Sequence, residues 1–441
     1  MKTVMMAGGK GTRIASLRND IPKPMIPVLG KSVLEWQIES LKRAGLDDIT
    51  LVIGHLGDKI QDHFGDGSRF GVRIRYFVED HPLGTAGALF RMDGLSEDFL
   101  LLNGDVLADI DWNRLIAFHR SKGAWASLVT HPNDHPYDSF LIETEMMPPA
   151  RPGALPQDSG RIIQWIGKDE VRGFLRNRVN AGLAVLSPAL LDFARGRLAS
   201  PDGVVPEKVD LDRDVLRPCI RQGQVYAYDT AEYIKDMGTP GRLAEVERDL
   251  RSGKVASRAL PGPRKAVFLD RDGVLNRHVG FLKTLDQMEL LPGAAEAVRK
   301  INASRYLAIV VSNQPVIARG GCSFEELQAI HAKMETLLGR EGAYLDAIYY
   351  CPHHPDRGFA GERPEYKGPC SCRKPAPGML LQAAEDFRID LARSYMIGDS
   401  ESDVEAGRRA GCRDAFLIPS NEPGSLSAVL DRILAGSCHR G

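Results

Sequence analysis

Short apolar runs of strand length alternate with amphipathic segments of helical length along most of this 441-residue chain, and the alternation begins twice. "KTVMMAGG" reads as a strand running into a loop, "SVLEWQIESLKRAG" as an amphipathic helix stopped at Gly45, and "DITLVIG" as a buried strand. "FLLLNGDV" is a further strand that ends in an acid. Such βα alternation predicts a mostly parallel sheet covered by helices on both faces. A fresh series starts with "AVFLD" and continues through "AAEAVRKINASR", "LAIVVSNQ", "FEELQAIHAKMETLLGR", "AIYYCPHH" and "SYMIGD". The fold class expected is therefore α/β, with two doubly wound domains and no repeat relating them.

The stretch between the two series, "RSGKVASRALPGPRK", is polar, basic and interrupted by Pro and Gly, without an apolar period. It reads as a linker, which sets expected boundaries of 1–250, 251–264 and 265–441. Two domains also suit the length. Residues 146–160, "MMPPARPGALPQDSG", read as a surface excursion within the first domain.

Hydrophobic residues make up 43% and charged residues 26%, as in ordinary soluble globular proteins. Lys plus Arg number 57 and Asp plus Glu 58, a formal net charge of −1. That balance gives no broad basic field and argues against a nucleic-acid partner. No apolar run reaches the roughly 20 residues of a membrane span, so a cytoplasmic protein without a membrane partner is expected. Seven cysteines, at 219, 322, 351, 370, 372, 412 and 438, suit a reducing compartment with a metal site better than a disulfide framework.

"MMAGGKGTR" places Ala7, Gly8, Gly9, Gly11 and Thr12 after a strand, where bare backbone N–H groups can approach phosphate oxygens, with Lys10 and Arg13 adding positive charge. "PKPMIPV" holds Lys23 between two prolines that restrict its backbone. Together with "EDHPLGTAGAL", "LLNGDV" around Asp105, "NAGLAVLSP" from Asn180 and "YIKDMGTP" around Asp236, these strings resemble the sugar-nucleotidyltransferase superfamily from residue 1 to about 245. The resemblance implies a Rossmann-like, GT-A-like domain that joins a sugar 1-phosphate to a nucleotide and displaces pyrophosphate. It further implies that Asp105 and Asp236 hold Mg²⁺, that Arg13 and Lys23 steady the triphosphate, and that Gly84, Thr85 and Gly87 line the base. Lys168, Asn180 and Gly182 would meet the sugar phosphate. Gly167 departs from the family, which has an acid there to contact the sugar.

"FLDRDGVLN" sets two carboxylates on either side of an arginine at a strand end. It resembles the first motif of the haloacid-dehalogenase-like (HAD-like) phosphohydrolases, and "VVSNQ", "CRKPAPGM" and "IGDSESD" follow in the family's order. The resemblance implies that Asp270 attacks phosphorus and that Asp272 serves as general acid and base. Ser312, Asn313 and Lys374 would bind the phosphoryl group. Asp270, Asp272 and Asp399, with Asp403 as a further candidate, would bind Mg²⁺ and relieve carboxylate repulsion.

Within this region "YYCPHHPDRGFAGERPEYKGPCSCRKP" offers two close ligand pairs, Cys351 with His353 and Cys370 with Cys372, across a loop poor in apolar residues. Three thiolates and one imidazole suit a structural tetrahedral Zn²⁺. His354 is the adjacent rival, and Cys219, Cys322, Cys412 and Cys438 read as unligated thiols.

The zinc loop, residues 351–372, narrows the resemblance to bacterial D,D-heptose 1,7-bisphosphate phosphatases, with histidinol-phosphate phosphatases as close relatives. Arg373 would then meet the substrate's second phosphate. Pro315-Val316 and Ser400 depart from that pattern. Removal of a C7 phosphate leaves a sugar 1-phosphate, the substrate class of the first domain, so the chain resembles a two-step enzyme leading to GDP-heptose. Its expected partners are small sugar phosphates and a nucleoside triphosphate, with a homo-oligomer left open. No residue spacing selects guanine over cytosine or thymine.

Overall fold

The computed structural model describes residues 1–9, 20–149, 154–167, 170, 173–260, 262–358 and 360–438. Lys10, Gly11, Thr12, Arg13 and Lys168, all named above as site candidates, lie outside the described residues. The chain forms two compact units. The first comprises residues 1–130, 160–165 and 180–259, and the second comprises 131–159, 166–179 and 260–441.

The first unit is built on a twisted sheet whose strands follow the order Arg73–Val78, Asp48–Ile53, Lys2–Met6, Phe99–Asn103, Val179–Leu186, Ala126–His131, Val225–Asp229 and Gln157–Ile166. The first four pair in parallel, as the βα alternation predicts. Val179–Leu186 then runs antiparallel to Phe99–Asn103, and Gln157–Ile166 antiparallel to Val225–Asp229, so the sheet is more mixed than expected. The helix Val33–Arg43 forms where it was expected. Ser32 and Glu35 close a capping box at its start, which contributes about 1 kcal/mol. Leu34, Ile38 and Leu41 point from one face of it into a core with Met5, Ile49, Leu51, Leu102 and Trp112. The expected linker is ordered in part: Lys254–Arg258 is a short helix, and Val255 packs with Val28, Val246 and Met237.

In the second unit a five-stranded parallel sheet runs Ala347–Cys351, Tyr306–Asn313, Lys265–Leu269, Tyr395–Gly398, Asp414–Leu417. Its central strands are apolar on both faces, as burial between helix layers requires. Val267, Leu269, Ala308, Val310 and Ile397 are all at or near zero exposure. Because the strands are parallel, their carboxyl ends gather along one edge of the sheet. That edge carries Asp270, Asn313, Cys351 and Asp399, each at or just after a strand end, which is where ligands bind in open α/β sheets.

Residues 131–159 and 166–179 belong to this second unit, although the sequence places them inside the first series. Their strand Leu141–Met147 pairs antiparallel with Val179 opposite Leu141. Tyr137 donates from its hydroxyl to the Thr336 carbonyl at 2.9 Å, on the helix Phe324–Arg340. The excursion expected at 146–160 ends in the strand Gln157–Ile166.

Candidate active sites

In the first unit, the chain leaves the strand Lys2–Met6 through Ala7, Gly8 and Gly9. Ala7 N–H donates to the Val52 carbonyl, so this turn lies against the end of the neighbouring strand. A Cβ on Gly8 would sit 3.0 Å from the Glu79 carboxylate and 3.3 Å from the Gly54 nitrogen, so a side chain there would push the Glu79 carboxylate aside. Gly84 has φ +83°, and a Cβ there would meet the Val209 carbonyl oxygen at 2.4 Å. Thr85 accepts from Leu211 N–H at 2.7 Å and donates to Asp210. The "PLGTAGA" turn is thus pinned to residues 207–211, with Gly87 tight against the Glu207 carbonyl.

Asp105 and Asp236 are brought side by side by the antiparallel pair Tyr233–Asp236 and Val106–Asp109, which sets Asp236 opposite Val106. Each acid meets a cation. Lys23 Nζ pairs with Asp105, and Arg242 Nη1 donates to both Asp236 oxygens, at 2.8 and 3.0 Å. Gly182 N–H donates to the Asn180 side chain, and Gly182 lies directly under Asn103.

Glu79 opens the "EDHPLGTAGAL" string, and no role for it follows from the family resemblance. It follows the strand Arg73–Val78, its Oε1 is buried, and that oxygen has no hydrogen-bond partner among the described residues. Burial raises its pKa, opposed by the Leu83 N–H and the charge of His81. An acid opposite a glycine loop was the available signal.

The second unit's site is more enclosed. Lys374, 3% exposed, bridges Asp270 at 2.8 Å and Asp403 at 2.5 Å and also donates to the Val311 carbonyl. Asp270, Asp399 and Asp403 offer oxygens that lie within 4.8 Å of one another. Burial pushes Asp270 up to about 6; Lys374 opposes the shift, and the charges of Asp403 and Asp272 add to it. Burial alone would lower Lys374, but the two carboxylates outweigh it and the net shift is upward. Carboxylates crowded this closely fit a divalent cation. Gly273, with φ +79°, leaves the space Asp399 occupies, since a Cβ there would sit 2.1 Å from its Oδ2.

Asp272, expected among the metal ligands, is not in that group. Its carboxylate is held by Arg271 at 2.8 and 2.9 Å, by Asn276 at 2.9 Å and by Gln314 at 2.9 Å. Burial raises its pKa, but the Arg271 charge and these hydrogen bonds prevail, and the net shift is downward. Asp403 takes the third place in the cluster. Ser400, which departs from the family pattern, orients it by donating from both backbone N–H and hydroxyl to Asp403 Oδ2. Ser312, expected at the phosphoryl group, is 1% exposed and accepts from Gln314 at 2.8 Å. Asn313 instead reaches the cavity, its side chain paired with the backbone of Lys374 in both directions.

The cavity over these groups measures about 210 Å³ and is walled by Asp270, Asp272, Asn313, Lys374, Arg373 and Asp399, with Pro315 and Val316 to one side. His278, which the sequence did not single out, also lines it, with Nδ1 3.6 Å from Asp399 Oδ2.

Cys351, His353, Cys370 and Cys372 converge as a second group of candidate metal ligands. Their sulfur–sulfur separations are 3.1, 3.4 and 3.6 Å, and His353 Nδ1 lies 3.5 and 3.6 Å from two of the sulfurs. A tetrahedral site with metal–sulfur bonds of about 2.3 Å has edges of about 3.8 Å, so the donor set fits. Burial pushes the Cys351 thiol up, while hydrogen bonds from Cys351 and Cys372 pull Cys370 down. His354 is engaged elsewhere, accepting from Asp356 N–H and facing Arg319. Cys219, Cys322 and Cys412 form no disulfide and stand outside the group; the Cys438 side chain lies outside the described residues.

A glycine loop with an acid pair on one sheet, and a buried Asp–Lys–Asp cluster on the other, define a protein that handles phosphate esters at two centres. Residues 2–253 match the nucleotidyl transferase family, and residues 371–419 match the HAD-hydrolase-like family. Over 178 residues the chain is 44% identical to the D-glycero-D-manno-heptose-1,7-bisphosphate 7-phosphatase of Thermosynechococcus vestitus, covering 40% of this chain and 85% of that protein. It is 30% identical over 278 residues to a UTP–glucose-1-phosphate uridylyltransferase of Synechocystis sp., covering 59% of this chain and 66% of that one. A solved D,D-heptose 1,7-bisphosphate phosphatase from B. bronchiseptica, complexed with magnesium and phosphate, is 33% identical, with a TM-score of 0.34 over 39% of this chain and 99% of that one. The chain belongs to the nucleotidyl transferase family and, through its other unit, to the heptose-bisphosphate phosphatases; it is a bifunctional enzyme. No helix among the described residues is long and apolar enough to cross a membrane.

Proposed function

We propose that the second unit removes the C7 phosphate of a heptose 1,7-bisphosphate and that the first unit joins the resulting heptose 1-phosphate to GMP from GTP, giving GDP-heptose and pyrophosphate. The observation that carries the reading is the buried Asp270–Lys374–Asp403 cluster in a chain that is 44% identical over 178 residues to a heptose bisphosphatase. The product of such a site belongs to the substrate class of the other unit.

In the phosphatase step, an Asp270 oxygen bonds to phosphorus as the phosphorus–oxygen bond to the sugar breaks, and Asp272, which takes up a proton when the bound phosphate's negative charge raises its pKa, gives that proton to the departing oxygen. Water then attacks the aspartyl-phosphate, Asp272 takes a proton from that water, and inorganic phosphate leaves. Lys374 and Asn313 hold the phosphoryl oxygens, and Arg373 takes the distal phosphate. Asp270, Asp399 and Asp403 would hold Mg²⁺, which supplies charge neutralisation. Cys351, His353, Cys370 and Cys372 would hold structural Zn²⁺.

The Asp270 shift has a kinetic consequence. The nucleophile must be ionised, so phosphate release falls as pH drops through the Asp270 pKa, and added positive charge lowers that pKa. The acid limb is expected near pH 6 at limiting Mg²⁺, with displacement to lower pH at saturation. A limb that ignores Mg²⁺ concentration would assign the titration to another group.

In the transferase step, Asp105 and Asp236 would hold Mg²⁺, and their present partners Lys23 and Arg242 would turn to substrate phosphates. Alignment and charge neutralisation are the main demands of phosphoryl transfer between anions. Glu79 supports guanine as the base. A carboxylate accepts two hydrogen bonds side by side, and guanine presents N1–H and N2–H₂ as adjacent donors, whereas cytosine, uracil and thymine do not. Glu79→Gln is expected to lower kcat/KM for GTP about 10- to 100-fold, the range for loss of one paired recognition contact, and to change the other triphosphates little. An equal loss for all four would make Glu79 structural. A matrix of four nucleoside triphosphates against heptose and mannose 1-phosphates, read by pyrophosphate release, tests the whole assignment; no nucleotide sugar from any combination would reject it.

A further inference from the structure

The acid–base carboxylate of the phosphatase is the most heavily supported side chain in its site, and its support can be traced outward. Arg271 is fully buried and spends its donors on three partners: Asp272, the Gln314 side-chain oxygen at 3.0 Å, and His331 Nε2 at 3.1 Å. A guanidinium only donates, so His331 Nε2 must be the acceptor and the ring proton sits on Nδ1. Without that acceptor, one buried N–H of Arg271 would lose its partner and the guanidinium would be free to rotate away from Asp272.

His331 is carried by the helix Phe324–Arg340, and one turn further along the same helix stands Glu335. Glu335 pairs with Arg178 at 3.2 Å, and the two side chains are 1% and 6% exposed. Arg178 also reaches the Asp346 carbonyl. Next to Glu335, the Thr336 hydroxyl accepts from Leu175 N–H at 2.9 Å and donates to the Leu175 carbonyl at 3.1 Å. Pro136 packs so closely that a Cβ on Gly339 would lie 3.0 Å from its ring. Pro136, Leu175 and Arg178 therefore fix the height and rotation of the helix that presents His331. Arg176, Arg178, His331 and Glu335 face one small cavity with Gln328 and Tyr350.

We propose that Arg178, although encoded within the nucleotidyl transferase region, is a positioning residue for phosphate-ester hydrolysis, acting through Glu335, His331 and Arg271 to hold Asp272 in its working orientation. Residues 131–159 and 166–179 are then a working part of the phosphatase and not only of the transferase sequence that surrounds them. The proposal rests on the assignment of Asp270 as nucleophile and Asp272 as acid and base.

That assignment supplies a readout that plain destabilisation would not move. An aryl phosphate such as p-nitrophenyl phosphate has a good leaving group and needs no acid to form the aspartyl-phosphate, but its hydrolysis still needs Asp272 as base. In the full-length enzyme with Mg²⁺, His331→Leu and the double variant Arg178→Met/Glu335→Leu remove the support without leaving a lone buried charge. Both are expected to lower kcat at least tenfold and KM in proportion, with kcat/KM within threefold, because only breakdown of the aspartyl-phosphate is slowed. Rapid mixing should show a burst of about one p-nitrophenolate per enzyme followed by slow turnover. His331→Gln keeps an acceptor at similar reach and is expected to stay within threefold of the parent. Unchanged kcat in both His331→Leu and the double variant overturns the proposal. So does a loss without a burst in protein whose thermal unfolding matches the parent. Asp270→Asn serves as the reference: if it still releases phosphate, the nucleophile assignment fails first, and the two failures are told apart.

Discussion

Asp270→Asn abolishes phosphate release from a heptose bisphosphate, by at least about a thousandfold, because an amide cannot form the acyl phosphate on which turnover depends. Nucleotidyl transfer from supplied sugar 1-phosphate persists at the parental rate, since Asp270 belongs to the second unit alone. The same change is expected to stabilise that unit or leave it unaffected. Asp270 is buried against Asp403 and Asp272, and Lys374 keeps Asp403 as a partner at 2.5 Å when the Asp270 charge is gone. A site that holds like charges together for chemistry gains stability when one is removed, on the order of 1 kcal/mol. Product assays for phosphate and for nucleotide sugar, with a melting curve on the same preparation, check all three points. Loss of both activities in a folded protein would reject independent centres.

Much of this arrangement was legible in the residues. The run "LAIVVSNQ" reads as one strand of a βα series, and in the parallel sheet that such a series builds the acids at neighbouring strand ends share an edge. Cys351, His353, Cys370 and Cys372, two close pairs in the sequence, converge in the structure as candidate metal ligands, while His354 turns to Asp356 and Arg319. What the sequence concealed is what depends on long-range packing. Asp272 looked like a metal ligand because it sits two residues from Asp270; only the fold shows Arg271 turned back onto it and Gln314 arriving from another strand. Glu79 is one acid among many until the strand order sets it against Gly8. Arg178 carries no motif at all, and its partner Glu335 lies 157 residues away. The antiparallel strand Val179–Leu186 is as apolar as its parallel neighbours, so its direction could not be read from periodicity, which is the same either way.

Stripping the Cys351–His353–Cys370–Cys372 site of its metal is expected to cost the second unit far more stability than any single substitution at the catalytic cluster. Structural zinc in small sites contributes about 10–16 kcal/mol of binding free energy, and much of it is folding free energy, because the site does not exist in the unfolded chain. The loop between the ligand pairs has little with which to replace it: Asp356, Arg357 and Gly358 are exposed, as are Ala360 and Gly361. A strong chelator, removed before assay in excess Mg²⁺, or Cys370→Ser, should therefore open residues 355–369 to proteolysis and lower the unfolding temperature of the second unit by more than about 10 °C, while nucleotidyl transfer continues. Phosphatase activity should fall with the loop, for a geometric reason. Cys372 is two residues from Lys374, and Arg373 between them donates to the His353 carbonyl at 3.2 Å, so the ligand cluster is the anchor from which Lys374 reaches Asp270 and Asp403. Metal analysis of freshly purified protein should return about one zinc per chain. A chain without zinc that still hydrolyses its substrate and resists protease across residues 355–369 would show that the four side chains merely pack together.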